Sequence, residues 1–353
     1  MTQHNKLKKI TLEQPLFKAQ SADFLLAASV TNTCTIEGIT QAGIPGLIPL
    51  TPSLDAEFIS TGKVFSLENI AETPTGVPTP ALISRAVEVL SPFHSINILD
   101  LGLSTAPQHC TLTDFAIKAS ASIDKNANID AQAIFNKGLQ FAEQYSTTAD
   151  YIILGESTPA GTTTAKAVAC ALGYKTEGLF ASSFKHNPLS IKEKTIKASM
   201  LHIKNSMSCF EKLTICADNM LIFNAAFVAQ ISQKYPIVLA GGTQMATVLL
   251  IINSLYHELG LKFKPKNISL ITTQWIAHDT ESDIEGILQQ LIFSISAYYS
   301  EFDFSLSNHP ALALYDQGEA KEGVGAGAAI AYAYAHGISQ QQITSAVEAF
   351  LIA

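Results

Sequence analysis

The sequence predicts an α/β fold in which a mainly parallel sheet is covered by helices on both faces. Hydrophobic residues make up 47% of the chain and charged residues only 15%, a balance that suits a sheet buried on both sides. Short apolar stretches alternate with stretches of helical periodicity, which indicates strands joined by right-handed crossovers. The rest of the chain is arranged around residues 151–172 (YIILGESTPAGTTTAKAVACAL).

The length of 353 residues suits either two average domains or one large α/β domain with an appendage, and the second is predicted. Its α/β core is expected at about residues 91–280. Residues 1–90 and 281–353 are expected to form part of a smaller helical lobe, although no linker marks the boundary.

Charge and composition exclude several function classes. A net charge of -8 argues against a general nucleic-acid binder, which needs a basic face. The five cysteines are scattered without a C-x-x-C pair, as expected in a reducing compartment. The N-terminus has no apolar signal-peptide core, and the longest apolar run, residues 245–255, is too short to span a bilayer. We therefore expect a cytoplasmic protein that does not bind membranes.

The first half of the chain shows apolar strands separated by proline-rich loops and helices. Pro80 stands where a helix tolerates proline, in the first turn. The predicted strands are residues 24–30, 96–101 and 151–154, and the predicted helices are residues 81–90, a stretch from Ala131 that ends before Tyr151, and residues 164–172.

The second half continues the alternation. Strands are predicted at residues 213–217, 237–240 and 268–273, and helices at residues 191–209, 219–233, 243–259 and 282–290. An aromatic-rich stretch, residues 291–304, and an Ala/Tyr helix that ends at His336 follow. Ligands of parallel sheets bind at the carboxyl ends of the strands, which places Glu156, Gly241, Gly242 and residues 272–275 on one rim.

The loop after the strand at residues 151–154 favours an anion. Gly161, Thr162, Thr163 and Thr164 open a helix, and a helix N-terminus offers unpaired N–H groups and partial positive charge. Neither a P-loop nor a dinucleotide fingerprint is present. The alternative is that these threonines only cap the helix.

Two carboxylates are candidates for acid–base chemistry. Glu322 lies in the glycine-rich turn KEGVGAG before an apolar helix, and Glu156 directly follows a strand. Each could act as a general base in a dry pocket that raises its pKa, or each could simply stabilise a helix dipole. The histidines show no metal-binding spacing, so no metal site is predicted.

Three ordered motifs carry a family resemblance. GESTPAGTTTA, PIVLAGGTQMATVL and KEGVGAGAAIA resemble segments of the nicotinate-nucleotide:dimethylbenzimidazole phosphoribosyltransferase family, and more closely its archaeal and cyanobacterial relatives of unsettled function. The resemblance implies a Rossmann-like fold, a homodimer and no cofactor. It also implies transfer of the phosphoribosyl group of nicotinate mononucleotide to an aromatic base such as 5,6-dimethylbenzimidazole, as in assembly of the cobamide lower ligand.

The resemblance also assigns roles to residues. Glu322 matches the family's general base and is followed by Gly323. Glu156 and Gly161 to Thr164 match a substrate-binding motif. The family's phosphate-binding lysine falls on Lys192 or, less favoured, Lys194. The glycine-rich turn at Gly241, Gly242 and Thr243 completes the implied substrate-binding set.

Two departures from the family pattern concern the acceptor base. The base-pocket segment contains Gly76-Val77-Pro78 instead of the family's serine after Gly-Val, and Lys321 precedes the catalytic Glu-Gly in place of glycine. A lysine pointing inward there would lower the pKa of Glu322. The alternatives kept open are a transferase that uses another base, such as a purine, and a nucleotide-binding regulatory protein without catalysis.

Overall fold

An eight-stranded sheet runs through the part of the chain that the computed structural model describes, residues 6–11 and 20–352. The strand order is β1-β8-β7-β6-β5-β2-β3-β4, and all neighbours are parallel except β1 and β8. The strands are β1 Leu7–Lys9, β2 Ala22–Ala28, β3 Ser95–Asp100, β4 Leu112–Asp114, β5 Tyr151–Ser157, β6 Ile237–Ala240, β7 Ile268–Thr273 and β8 Ser296–Ser300. The predicted α/β class with a mainly parallel sheet is confirmed.

The four central strands, β2, β5, β6 and β7, are buried along their whole length. Helices cover both faces of these strands, so neither face needs polar residues and the sequence shows apolar runs without alternation. Ala28 pairs with Ser157, which aligns the carboxyl ends of β2 and β5.

One face of the sheet packs against the central part of the chain. This layer contains α3 Ala131–Gln144, α4 Gly161–Leu172, α5 Leu189–Met200, α6 Cys209–Cys216, α7 Asn219–Ile231, α8 Thr243–Leu259 and α10 Ile284–Leu288. Its core is continuous across the sheet face because α7 and α8 are apolar along most of their length.

The other face is covered by helices from the two ends of the chain. They are α1 Thr51–Thr61, α2 Ala81–Leu90, α9 Gln274–Ala277, α11 Pro310–Asp316, α12 Ala326–Ala335 and α13 Gln340–Ile352. The end segments also supply β2 and β8 to the sheet. The division into a core and a smaller helical lobe remains a prediction.

The predicted strand at residues 213–217 is wrong, because these residues end the helix α6. Ser208 and Glu211 form a capping box that starts this helix: the Ser208 hydroxyl accepts from the Glu211 N–H, and the Glu211 carboxylate accepts from the Ser208 N–H. The helix predicted at residues 191–209 instead ends at Met200.

Most other predicted elements are confirmed, including α2, β6, α8 and β7 at their predicted bounds. The sequence analysis missed the strands β1, β4 and β8 and the helices α1, α9, α11 and α13. Within the described residues, no helix is both long enough and apolar enough to cross a membrane.

Candidate active site

A cleft with about 890 Å³ of empty space, part of it open to solvent, lies at the carboxyl ends of the central strands. Its walls are the segments after β5 and β6, residues 71–80 and the turn before α12. Most of the predicted site residues line it, namely Glu156, Gly161, Thr162, Gly242, Thr243, Glu322 and Gly323. Sequence motifs that are far apart along the chain therefore meet at one place.

The remaining predicted residues lie behind the cleft wall. The Thr163 side chain is fully buried, and the Thr164 hydroxyl donates to the carboxylate of Asp218. Gly241 packs against Met245, where an added Cβ would come within 2.8 Å of the Met245 Cγ. We assign these residues to the support of the site.

Two helix N-termini, those of α4 and α8, open onto the cleft. The hydroxyls of Thr158 and Thr243 are buried beside them and have no hydrogen-bond partner among the described residues. Buried hydroxyls are rarely left unpaired, so they indicate where a polar ligand would bind. The N–H groups and dipoles of both helices favour an anion there.

Lys192 stands behind the N-terminus of α4. Its ammonium donates to the Thr162 hydroxyl at 3.0 Å and to the Ala181 carbonyl at 2.8 Å. Burial, with smaller contributions from the charges of Lys166 and Lys321, lowers the pKa of Lys192 to about 7. Thr162 lines the cleft and Lys192 does not, so the lysine ammonium is separated from the cleft by the Thr162 side chain.

Glu322 is fixed by the backbone around it. Its Oε2 accepts from the Thr273 N–H at 2.8 Å and the Thr272 hydroxyl at 3.2 Å, and its Oε1 accepts from the Gly327 N–H at 3.2 Å. Burial raises the pKa of Glu322 to about 7, and these hydrogen bonds oppose the rise. The carboxylate is oriented and poised near neutral pH.

The glycines after Glu322 have steric roles. Gly325 has a φ of 70°, a left-handed conformation that glycine adopts without strain. A Cβ on Gly327 would lie 2.2 Å from the Thr272 carbonyl carbon, so α12 can approach β7 only with glycine at this position.

Glu156 is the second carboxylate of the cleft. Its Oε2 accepts from the Gln244 side-chain amide at 2.7 Å. Burial, and then the negative charge of Glu322, raise the pKa of Glu156 to about 8. Glu322 is therefore near enough for its charge to affect the protonation of Glu156.

Lys321 does not lower the pKa of Glu322 in the way that an inward-pointing lysine was expected to. Its ammonium forms an ion pair with Asp279 at 3.0 Å, with both side chains almost fully buried. The partner carboxylate balances the lysine charge, and burial determines the pKa of Glu322.

Asp55 is a cleft residue that the sequence analysis missed. It lies on α1, and its carboxylate accepts from the Thr79 and Ser157 hydroxyls, each at 2.6 Å. A signal was present, since a carboxylate between apolar residues in SLDAEF suits a buried polar site. Because no helix was predicted at these residues, the sequence analysis could not place Asp55 at the cleft.

Comparison with known proteins then places the chain. No protein-family model matches it. A UPF0284 protein of Sulfurisphaera tokodaii is 34% identical over 328 residues, which cover 92% of this chain and 91% of the relative. This chain belongs to the UPF0284 family. A UPF0284 protein of Sulfolobus acidocaldarius is 35% identical over 329 residues, with 92% of this chain and 93% of the relative covered.

Solved structures with the same fold come from Thermus thermophilus. Its nicotinate-nucleotide-dimethylbenzimidazole phosphoribosyltransferase superposes on the UPF0284 chain with a TM-score of 0.58 at 15% identity, covering 95% of this chain and 84% of the other. A structure of CobT gives a TM-score of 0.57 at 14% identity, covering 94% and 84%. The resemblance predicted from the three motifs is confirmed in both its parts, the transferase fold and the archaeal relatives.

Proposed function

We propose that this UPF0284 protein is a phosphoribosyltransferase that moves the phosphoribosyl group of nicotinate mononucleotide onto a nitrogen of an aromatic base. The observation that carries the proposal is the pairing of an anion-favouring wall with two carboxylates of near-neutral pKa in one cleft. The phosphate of a nucleotide suits the anion-favouring wall, and the proton released by an aromatic base can pass to one of the carboxylates.

The phosphate binds at the N-termini of α4 and α8. Thr162 and Thr243 supply hydroxyls there, and Lys192 supports the Thr162 hydroxyl from behind. Helix N-termini contribute fixed donors, while the buried lysine contributes a full charge when it is protonated, so the two are complementary.

The reaction exchanges one C1′–N bond for another. The bond from C1′ to the cationic pyridine ring breaks with its electron pair going to the ring nitrogen, so nicotinate leaves without needing a proton. A ring nitrogen of the acceptor bonds to C1′, and the proton on the acceptor's other ring nitrogen passes to a carboxylate.

Glu322 is the carboxylate assigned to that proton. With pKa values of about 7 for Glu322 and about 8 for Glu156, Glu156 is the more protonated of the two at neutral pH and Glu322 the more available as a base. Protonated Glu156 can donate a hydrogen bond to the ribose or to the acceptor. With 5,6-dimethylbenzimidazole as acceptor, the product is the α-ribazole phosphate used for a cobamide lower ligand.

The direct test is nicotinate release. The purified protein is incubated with nicotinate mononucleotide and a panel of aromatic bases, and nicotinate and the new nucleotide are separated by chromatography. We expect stoichiometric release with at least one base. Absence of release, with equal nucleotide binding by wild type and Glu322→Gln, would instead support the nucleotide-binding regulatory protein.

A further inference from the structure

The wall of the cleft formed by α1 and residues 71–80 contains a buried carboxylate, that of Asp55. Asp55 is only 3% exposed, and it takes part in none of the ion pairs found within the described residues. A buried carboxylate without a cation is costly unless hydrogen bonds or a ligand compensate it. Thr79 and Ser157 donate one hydroxyl hydrogen to each of its oxygens, and each oxygen retains further capacity to accept.

A hydroxyl next to this wall has no partner in the part of the chain that the structure describes. The Thr158 hydroxyl, next to Ser157 in sequence, is buried with no hydrogen-bond partner among the described residues. The apolar surface nearby is small and aliphatic, with Ala71, Val77 and Pro78, and within the described part of the chain no aromatic side chain lines the cleft. This wall suits a ligand that presents hydrogen-bonding groups to it better than one that presents only methyl groups.

We propose that Asp55 is a specificity-determining residue that selects acceptor bases carrying an additional hydrogen-bond donor, such as an exocyclic amino group. The inference rests on the proposed transferase function and narrows its substrate class to amino-bearing heterocycles. The donor binds the carboxylate of Asp55, while the ring nitrogens remain free to attack C1′ and to release a proton toward Glu322.

The ionisation of the Asp55 carboxyl group supports this role. Burial raises the pKa of Asp55 to about 6, although the hydrogen bonds from the two hydroxyls lower it. The group is therefore mainly ionised at neutral pH and accepts hydrogen bonds. A charge-assisted hydrogen bond inside a low-dielectric site discriminates strongly, because an analogue without the donor leaves the charge unpaired.

The test compares adenine with unsubstituted purine, which lacks only the amino group. For wild type, we expect adenine to exceed purine by about 10- to 100-fold in kcat/KM for nicotinate release and in affinity by calorimetry. Asp55→Asn should reduce both ratios to less than about threefold and should improve hypoxanthine relative to adenine, because the new amide can donate to the oxo group.

Asp23→Asn is the matched control. Asp23 is also buried and accepts hydroxyl hydrogen bonds from Ser95 and Tyr145, but it lies at the opposite end of β2 from the cleft. The adenine-to-purine ratio should be unchanged in this variant.

The outcomes separate the two proposals. Equal affinity of wild type for adenine and purine, or an unchanged ratio in folded Asp55→Asn, overturns the role of Asp55. Preserved discrimination in binding without nicotinate release overturns the transferase function and leaves the base site standing. If Asp55→Asn does not fold, equal affinities of the wild type for adenine and purine still overturn the role of Asp55, since that comparison needs no variant.

Discussion

The Val324 N–H donates to the Glu156 carbonyl at 2.8 Å. This hydrogen bond ties the turn that carries Glu322 to the strand that carries Glu156, so the separation of the two carboxylates is set by the backbone. The charge of Glu322 contributes to the raised pKa of Glu156, and such a difference between two carboxylates is what a division of acid and base roles requires.

Glu322→Gln should retain nucleotide binding and lose transfer by roughly two to four orders of magnitude, the usual contribution of a general base. The amide keeps the size of the side chain but cannot take the proton. Steady-state nicotinate release and calorimetry with nicotinate mononucleotide measure the two effects. Turnover above about a third of the wild-type rate would show that another group is the base.

Lys192→Ala should weaken nucleotide binding by roughly 1.5 to 3 kcal/mol, the range for a hydrogen bond to a charged group. The affinity for a free base should barely change. The substitution removes both the buried charge of Lys192 and the hydrogen bond that Lys192 donates to the Thr162 hydroxyl. Lys194→Ala is the control, because Lys194 is exposed on the same helix. Both affinities should be measured at one salt concentration. Equal losses for nucleotide and base would argue for general destabilisation.

Gly327→Ala should lower the free energy of unfolding by at least about 3 kcal/mol, because its Cβ would overlap backbone rather than a flexible side chain. Gly173→Ala is the comparison, since Gly173 has a φ of 90° but no atom within 4 Å of an added Cβ. There, only the left-handed strain of about 1 to 2 kcal/mol is expected. Denaturant unfolding gives both values, and similar losses would contradict the steric argument.

The free energy of unfolding should fall as the pH rises from 5 to 7. Burial raises the pKa of Glu156 to about 8 and that of Glu322 to about 7, so the folded protein keeps protons that the unfolded chain, with values near 4.5, has released. The folded state therefore loses stability with rising pH, by at most about 1.4 kcal/mol per unit for each carboxyl.

Denaturant unfolding of wild type and Glu156→Gln at pH 5 and pH 7 tests this dependence. The variant should lose less stability over the interval, since its amide does not titrate. Above pH 7 the depressed pKa of Lys192 acts in the opposite direction, because the unfolded chain then holds the extra proton. The same pH dependence in both proteins would contradict the assignment to Glu156.

The resemblance implies a homodimer, which is also the commonest soluble assembly. Static light scattering at micromolar concentration should then give about twice the chain mass of 37.8 kDa. A mass near that of one chain would contradict this prediction.

The sequence predicted the central strands and most residues of the candidate site that line the cleft, because their signals are local. The apolar run before Glu156 and the glycines at Gly241 and Gly242 mark strand ends whose alignment follows from the rules of parallel sheets. The orientation of side chains is not local. Lys192 is buried behind Thr162 because α5 packs against α4, and its sequence neighbours do not encode that contact.

The wrong prediction at residues 213–217 has a different cause. The run LTICA has the β-branched and apolar residues of a strand, but the capping box at Ser208 and Glu211 begins a helix four residues earlier. The capping box at the helix N-terminus therefore outweighed the strand propensity of residues 213–217. Asp55 was missed because no helix was predicted at α1, which begins at Thr51 with Pro52 in its first turn.

The turn before α12 separates two kinds of evolutionary constraint. Gly325 and Gly327 are required by the close approach of Phe24 and Thr272, so any chain that keeps this architecture must keep them whether or not it catalyses a reaction. Glu322 fills no such gap, and the role proposed for it is chemical. A homologue that keeps both glycines but lacks the acid is thus expected to retain the fold without the proposed reaction.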